Sequence, residues 1–143
     1  MVTGPTVDNL GFLLAKASQR WNELVVEAFA ARGYGQVRAS YGSVLLPLWQ
    51  QDGLRMGELA ARARLSKQTM TTLVRLAERD GLVTRRPDVA DGRATQVWLT
   101  TTAVDFAPVA SQVLDRLQRR VQDRLGRPAT RALAEALSFV MNM

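Results

Sequence analysis

With 143 residues the chain has room for one compact domain, or one domain plus an oligomerisation element, and a hydrophobic content of 47% is that of a folded rather than a disordered protein. Nineteen Lys and Arg, seventeen of them Arg, against thirteen Asp and Glu leave a net charge of +6, which favours polyanionic partners. With no cysteine and no histidine, disulfides and thiol-based sensing are excluded and a zinc site lacks its usual nitrogen and sulfur ligands.

An enzyme would have to take its nucleophile and base from carboxylates, lysines or hydroxyls. No Gly-rich phosphate loop is present. An enzyme is therefore the least favoured class, and no cofactor or metal is expected. The N-terminus has no basic segment followed by an apolar run and cleavage site, and no stretch of about eighteen apolar residues occurs, so the expected location is cytoplasmic, with no membrane contact.

Residues 1–6, with Gly4 and Pro5, read as loose. A helix is predicted from near Asp8, because Leu10, Leu14, Ala17, Trp21, Leu24 and Ala28 recur at steps of three and four. Leu13, Val25 and Phe29 widen that stripe, so the helix has more than one neighbour to pack against, and Arg32 and Gly33 end it. A second helix is predicted over Ala39 to Gln50, with Tyr41, Val44, Leu45, Leu48 and Trp49 inward and a bend or weak point at Pro47. Trp21, Phe29, Tyr41 and Trp49 could line an aromatic pocket, but at helical spacing they read first as core. After the Gln51-Asp52-Gly53 turn, Leu54, Arg55 and Met56 suit a short strand.

Met56, Leu59, Ala60 and Ala63 follow the i, i+3, i+4, i+7 pattern of a short amphipathic helix. Arg64, Leu65 and Ser66 connect it to a second helix, Lys67 to about Asp80, whose first turn the Ser66 hydroxyl is placed to cap. This is helix-turn-helix spacing. Met70, Leu73, Val74 and Ala77 face inward, while Gln68, Thr72, Arg75 and Arg79 point away with Thr69 and Thr71 on the flanks. Gln and Arg suit base edges, Thr offers a hydroxyl and a methyl, and Lys67 suits a phosphate. Taken alone, this face also fits an ordinary solvated helix surface.

The segment that follows favours the nucleic-acid reading. Gly81 suits a left-handed helix end, Leu82 to Arg86 and Thr95 to Leu99 read as two strands, and residues 87–93 form a turn-rich tip. A hairpin after a helix-turn-helix is a wing. From Arg55 to Arg93, nine basic residues stand against five acids, placing +4 of the net charge where phosphates would need it.

The stretches GELAARARLSKQTMTTLVRLAERDGLV and RRPDVADGRATQVWLT resemble the MarR family of winged helix-turn-helix transcriptional regulators, over nearly a third of the chain. The resemblance implies that Arg93 reaches toward the minor groove and that Asp91 helps hold the wing. It also implies a repressor released by a small, often aromatic effector bound between the helical and winged regions. Ala103, where the family often has Gly, is a local departure.

Towards the C-terminus, Phe106, Ala110, Val113, Leu117, Val121 and Leu125 describe a long amphipathic helix with Pro108 in its first turns, closed by Gly126, Arg127 and Pro128. A last helix, about Ala129 to Met141, carries Ala132, Leu133, Ala136, Leu137 and Val140. Interlocking the terminal helices with those of a second copy would cover these stripes, as would an intramolecular bundle. Arg116, Arg119, Arg120, Arg124, Arg127 and Arg131 read as a solvated face paired with Asp115, Asp123 and Glu135.

The expected architecture is mainly α with a small β wing. Residues 36–102 form the winged helix-turn-helix, and 1–35 with 103–143 form the helical dimerisation region. The expected partners are a second copy, a pseudo-palindromic double-stranded operator and a small aromatic effector. Base-edge or nearby contacts fall to Gln68, Thr69, Thr71, Thr72 and Arg75, and backbone positioning to Ser66 and Lys67. Arg93 would act from the wing shaped by Asp91, with Arg85 and Arg86 as further backbone contacts. The competing reading is an architectural, weakly specific DNA-binding protein with the same fold and no effector; a protein-interaction module is disfavoured by the basic outward face.

Overall fold

The computed structural model describes residues 1–143, which divide into two compact units, Met1–Val109 and Ala110–Met143. Helix α1 spans Leu10–Ala31, a 3₁₀ turn Ala39–Tyr41, α2 Gly42–Gln50 and β1 Leu54–Arg55. Next come α3 at Met56–Ala63, α4 at Lys67–Arg79, β2 at Val83–Pro87 and β3 at Thr95–Leu99. Helices α5, Thr101–Leu125, and α6, Arg127–Met141, complete the chain. The fold is therefore mainly helical with one small antiparallel sheet in the order β1-β3-β2, the winged helix-turn-helix expected from the sequence.

Several boundaries move for identifiable reasons. Asn9, not Asp8, starts α1, because its side chain accepts the Phe12 N–H at 3.0 Å. The predicted helix from Ala39 divides into a 3₁₀ turn and α2, and α2 runs on through Pro47. β2 begins at Val83, since Leu82 still belongs to the helix end: its N–H reaches back to the Ala77 carbonyl, with Gly81 left-handed at φ 81°. Pro108 lies a full two turns inside α5 rather than in its first turns. α6 starts at Arg127, because Pro128 falls in a first turn that has no use for its missing N–H.

The core of the N-terminal unit is built from Val25 and Phe29 of α1, Val37, Tyr41, Val44, Leu45, Leu48, Leu54, Leu59, Met70, Val74, Leu82, Val83, Val97 and Phe106, all buried. Leu73, expected among them, is only half-buried. The aromatic residues cluster around Phe106, which meets Phe29 edge-on at 4.8 Å between centroids, Tyr34 at 4.6 Å and Trp49 at 5.9 Å. Trp49 is fixed there by an Nε1 hydrogen bond to the Ala103 carbonyl. The four-residue cluster expected from sequence is thus revised: Trp21 stays exposed on α1, Tyr41 bonds instead to Asp80, and Tyr34 and Phe106 take their places.

In the C-terminal unit α6 has no buried residue, leaving Leu133, Leu137, Phe139 and Val140 exposed. In the N-terminal unit, Leu10, Phe12, Leu13 and Trp21 of α1 are likewise uncovered. The arginine run departs from expectation: no ion pair joins Arg116, Arg119, Arg120, Arg124, Arg127 or Arg131 to Asp115, Asp123 or Glu135. Their spacing along the helices permits such pairs, but exposed partners gain little from holding two long side chains in one geometry.

The sheet is tied to α2 through the turn at Asp52 and Gly53. Asp52 Oδ1 accepts the Leu99 N–H at 2.9 Å, and Gly53, at φ +70°, lies under Trp98 so closely that a Cβ would stand 2.5 Å from the ring. Gly53→Ala therefore combines left-handed backbone strain with overpacking and should cost about 2–4 kcal/mol of stability. Urea unfolding checks this through a lower midpoint at unchanged slope.

Candidate nucleic-acid interface

The two helices of the helix-turn-helix meet through a sharp corner. Arg64 there is left-handed at φ 57°, and the Leu65 N–H closes the α3 terminus onto the Ala60 carbonyl. Ser66 then caps α4, its Oγ accepting the Thr69 N–H at 3.1 Å and donating to Thr69 Oγ1 at 2.8 Å. Removing such a cap costs about 1 kcal/mol. At the other end, Asp80 accepts from the Tyr41 hydroxyl and from Arg79 Nε. The Tyr41 and Arg79 hydrogen bonds hold the Asp80 carboxyl below the usual carboxylate range, while burial raises the Tyr41 hydroxyl. Both ends of α4 are thus fixed to surrounding structure.

The outward face of α4 is presented as its periodicity predicts, with Lys67, Gln68, Thr69, Thr72, Arg75 and Arg79 exposed and Thr71 half-exposed. The hydroxyls are partly committed: Thr71 donates to the Lys67 carbonyl at 2.8 Å and Thr72 to the Gln68 carbonyl at 3.2 Å. Those two residues therefore offer lone pairs and methyl groups outward rather than protons. Arg79 is drawn to Asp80. Lys67, Gln68 and Arg75 have no such tie, which leaves them the most available donors on the helix.

The wing is organised by Asp88. This buried carboxylate accepts the Ala90 and Asp91 N–H groups at 2.8 and 3.0 Å and Arg55 Nε at 2.9 Å, while its own N–H donates to the Ala94 carbonyl. The Arg55 hydrogen bond and those amides hold the Asp88 carboxyl below its ordinary range. Asp91 is the outer member, accepting the Arg93 N–H and Nε at 3.1 and 3.2 Å, with the Arg93 side chain almost wholly exposed. On β2, Arg85 pairs with Glu78 of α4 through Nε and through its backbone N–H, joining strand to helix. The Arg86 guanidinium lies 5.2 Å from the centre of the Trp98 ring.

Between α4 and the wing lies a cleft of about 450 Å³ lined by Arg55, Lys67, Thr71, Arg75, Arg85 and Arg93, with Met56, Gly57, Glu58, Ala94 and Thr95. Five cations face one carboxylate there. Of the residues nominated from sequence, Lys67, Thr71, Arg75, Arg85 and Arg93 come together in the cleft, whereas Ser66, Gln68, Thr69, Thr72, Arg86 and Asp91 lie outside its lining. Sequence reasoning missed Arg55 and the central place of Asp88. The only local signal for Asp88 is a turn-forming Asp two residues before Ala90, which is the same whether the turn is exposed or buried. The Glu78 to Arg85 pair crosses the helix end and leaves no sequence signal.

Comparison with known proteins agrees with the fold. The MarR family model matches residues 43–94. The chain is 34% identical over 90 residues to the HTH-type transcriptional repressor Rv2887 of Mycobacterium tuberculosis, a match covering 63% of this chain and 65% of that protein. The chain thus aligns with somewhat less than two thirds of that relative's length. In structure it is similar to the PcaV transcriptional regulator of Streptomyces coelicolor, solved in complex with its natural ligand, with a TM-score of 0.82 at 18% identity over 99% of this chain and 98% of that one. It is also similar to Staphylococcus aureus MepR, solved in complex with DNA, with a TM-score of 0.78 at 20% identity over 94% and 96%.

The Asp88 network has a definite pH dependence. Its folded-state pKa is lowered, so its contribution to wing stability is complete above the ordinary carboxylate value and is lost as pH falls through the lowered one. Hydrogen-exchange protection of the Ala90 and Asp91 amides should hold at pH 5 and fall as the solution is acidified below about pH 4. Asp88→Asn, with no carboxylate to protonate, should show weak protection throughout and no such step. A wild-type profile without the step would remove Asp88 as the wing's anchor.

Proposed function

We propose that the chain is a MarR-family protein, as the family model matched over residues 43–94 suggests, and a sequence-specific DNA-binding transcriptional regulator acting as a repressor. The observation that carries this reading is the basic cleft between α4 and the wing, beside a helix face whose Gln68 and Arg75 are exposed and uncommitted. In this reading α4 enters the major groove. Gln68 and Arg75 read base edges, Thr69, Thr71 and Thr72 supply acceptors and methyl contacts, and Lys67 meets the phosphate backbone with Ser66 setting the helix start. Arg93 works from the wing at the minor groove, positioned by Asp91, while Arg85 and Arg86 sit along β2 nearer the backbone.

The acting species is a twofold dimer built by residues 1–35 and 103–143, with 36–102 as the DNA-binding part. The support is physical: α1 and α6 each expose a row of large apolar side chains that a single chain leaves in water. Two α4 helices related by a twofold axis call for a pseudo-palindromic operator with half-sites roughly 10 bp apart. A small aromatic effector that lowers DNA affinity completes the proposal, supported by the ligand-bound state in which PcaV was solved. The architectural alternative, which shares the cleft, differs in the ratio of operator to random-sequence affinity.

Arg75→Ala and Gln68→Ala should each relax discrimination at one operator position by about 1–3 kcal/mol, measured by titrating operator variants and random duplexes of equal length at fixed salt. Equal losses on operator and random DNA would reassign either residue to the backbone, and a wild-type chain without operator preference would favour the architectural reading. For the assembly, the double substitution Leu133→Glu and Leu137→Glu should shift the chain from dimer to monomer in sedimentation at micromolar concentration. A dimer that survived both changes would exclude α6 from the interface.

A further inference from the structure

We propose that Arg55, a residue outside both the recognition helix and the wing, binds a DNA phosphate in the cleft, in an orientation set by the buried carboxylate of Asp88. The inference rests on the DNA-binding reading and adds a contact to it. In B-form DNA a single sugar-phosphate backbone separates a major groove from the adjacent minor groove, the two being about 12 and 6 Å wide. A protein that places a helix in one and a hairpin tip in the other must therefore seat that backbone between them. The space between α4 and the wing in this chain is the cleft of about 450 Å³, and Arg55 lies in its lining at the junction of β1 and α3.

The side chain is prepared for this task. Its Nε is bonded to Asp88 at 2.9 Å, a carboxylate itself fixed by two wing amides, so the guanidinium is held in one direction before any ligand arrives. Asp88 is 5% exposed at its side chain and Arg55 is 45% exposed, so the bond joins a buried carboxylate to a side chain that solvent still reaches. The planar fork has further N–H groups for a second acceptor, and the Asp88 bond occupies only one of its five donors. Gly57, also in the lining, adds no side chain to the cleft. Glu58, the one carboxylate of the cleft, is turned to the Arg55 backbone N–H at 3.1 Å. The other cleft arginines of the wing side are drawn elsewhere, Arg85 to Glu78 and Arg93 to Asp91.

The test uses the intact chain and a duplex obtained by selection from random oligonucleotides, with phosphate ethylation interference and a salt titration read on wild type, Arg55→Gln and Arg55→Lys. Wild type should show interference at backbone positions between the α4 and wing footprints. Arg55→Gln should lose one of these per half-site while keeping the rest, and the slope of log affinity against log salt should fall by about 0.9 per half-site. Arg55→Lys, which keeps the charge, should retain most of the slope. An unchanged interference pattern and slope in Arg55→Gln overturns the proposal. So does loss of every wing-side contact together in both variants, because that is the signature of a brace for the wing and not of a phosphate ligand. Failure of wild type to select any duplex would instead overturn the DNA-binding reading, and this inference with it.

Discussion

The wing depends on one buried negative charge. Taking a carboxylate out of water is unfavourable unless its oxygens are met by donors, and Asp88 is met by two backbone amides and an arginine. Those three bonds fix different things. The amides close the turn at the tip of the hairpin, and the Arg55 bond links that turn to the start of α3. A two-stranded hairpin is marginally stable by itself. Pairing of β1 with β3 adds the third strand, and the Arg55 to Asp88 bond carries the same connection out to the far end of the hairpin.

Helix α4 is held by the same kind of local satisfaction. Ser66 caps one end and the Gly81 turn closes the other, and Asp80 with Tyr41 fastens the helix to the segment after α1. Glu78, which on an isolated helix would be one more solvated acid, takes both the backbone N–H and the guanidinium of Arg85 and sets the angle between α4 and β2. A helix fixed at both ends and along one side cannot change its projection without breaking several bonds at once. On the DNA-binding reading, direct readout by side chains benefits from that rigidity, because the entropy of orienting the donors is spent in folding rather than in binding.

Much of this was legible in the sequence, for a reason that differs between levels. Helix and strand periods survive in single-chain patterns, so α3, α4 and β3 fall where their apolar residues recur, and the Ser66 cap follows from the chemistry of one hydroxyl. The ends of α1 and α6 were displaced because Asn9 and Asp8 are both good caps and Pro128 suits a first turn as well as a stop. Tertiary identity was the least legible. Tyr34 and Phe106 lie seventy-two positions apart, and neither shows that it will meet the other. Asp88 and Asp91 look alike as turn residues, yet one is buried beneath the wing and the other lies at its surface.

That difference between the two aspartates bears on how acids paired with its arginines leave the cleft basic. The Arg93 to Asp91 pair is exposed, and an exposed pair is worth little in water, so a phosphate can take the guanidinium from its partner at small cost. The Arg55 to Asp88 pair behaves differently, since withdrawing the arginine would leave a buried carboxylate without its charge partner. Arg93 is therefore an exchangeable cation and Arg55 a fixed one. On the DNA-binding reading the chain holds a rigid charge in the cleft lining and a movable charge at the wing tip. The carboxylates that reduce the net field of the cleft are the same groups that determine where its positive charge can go.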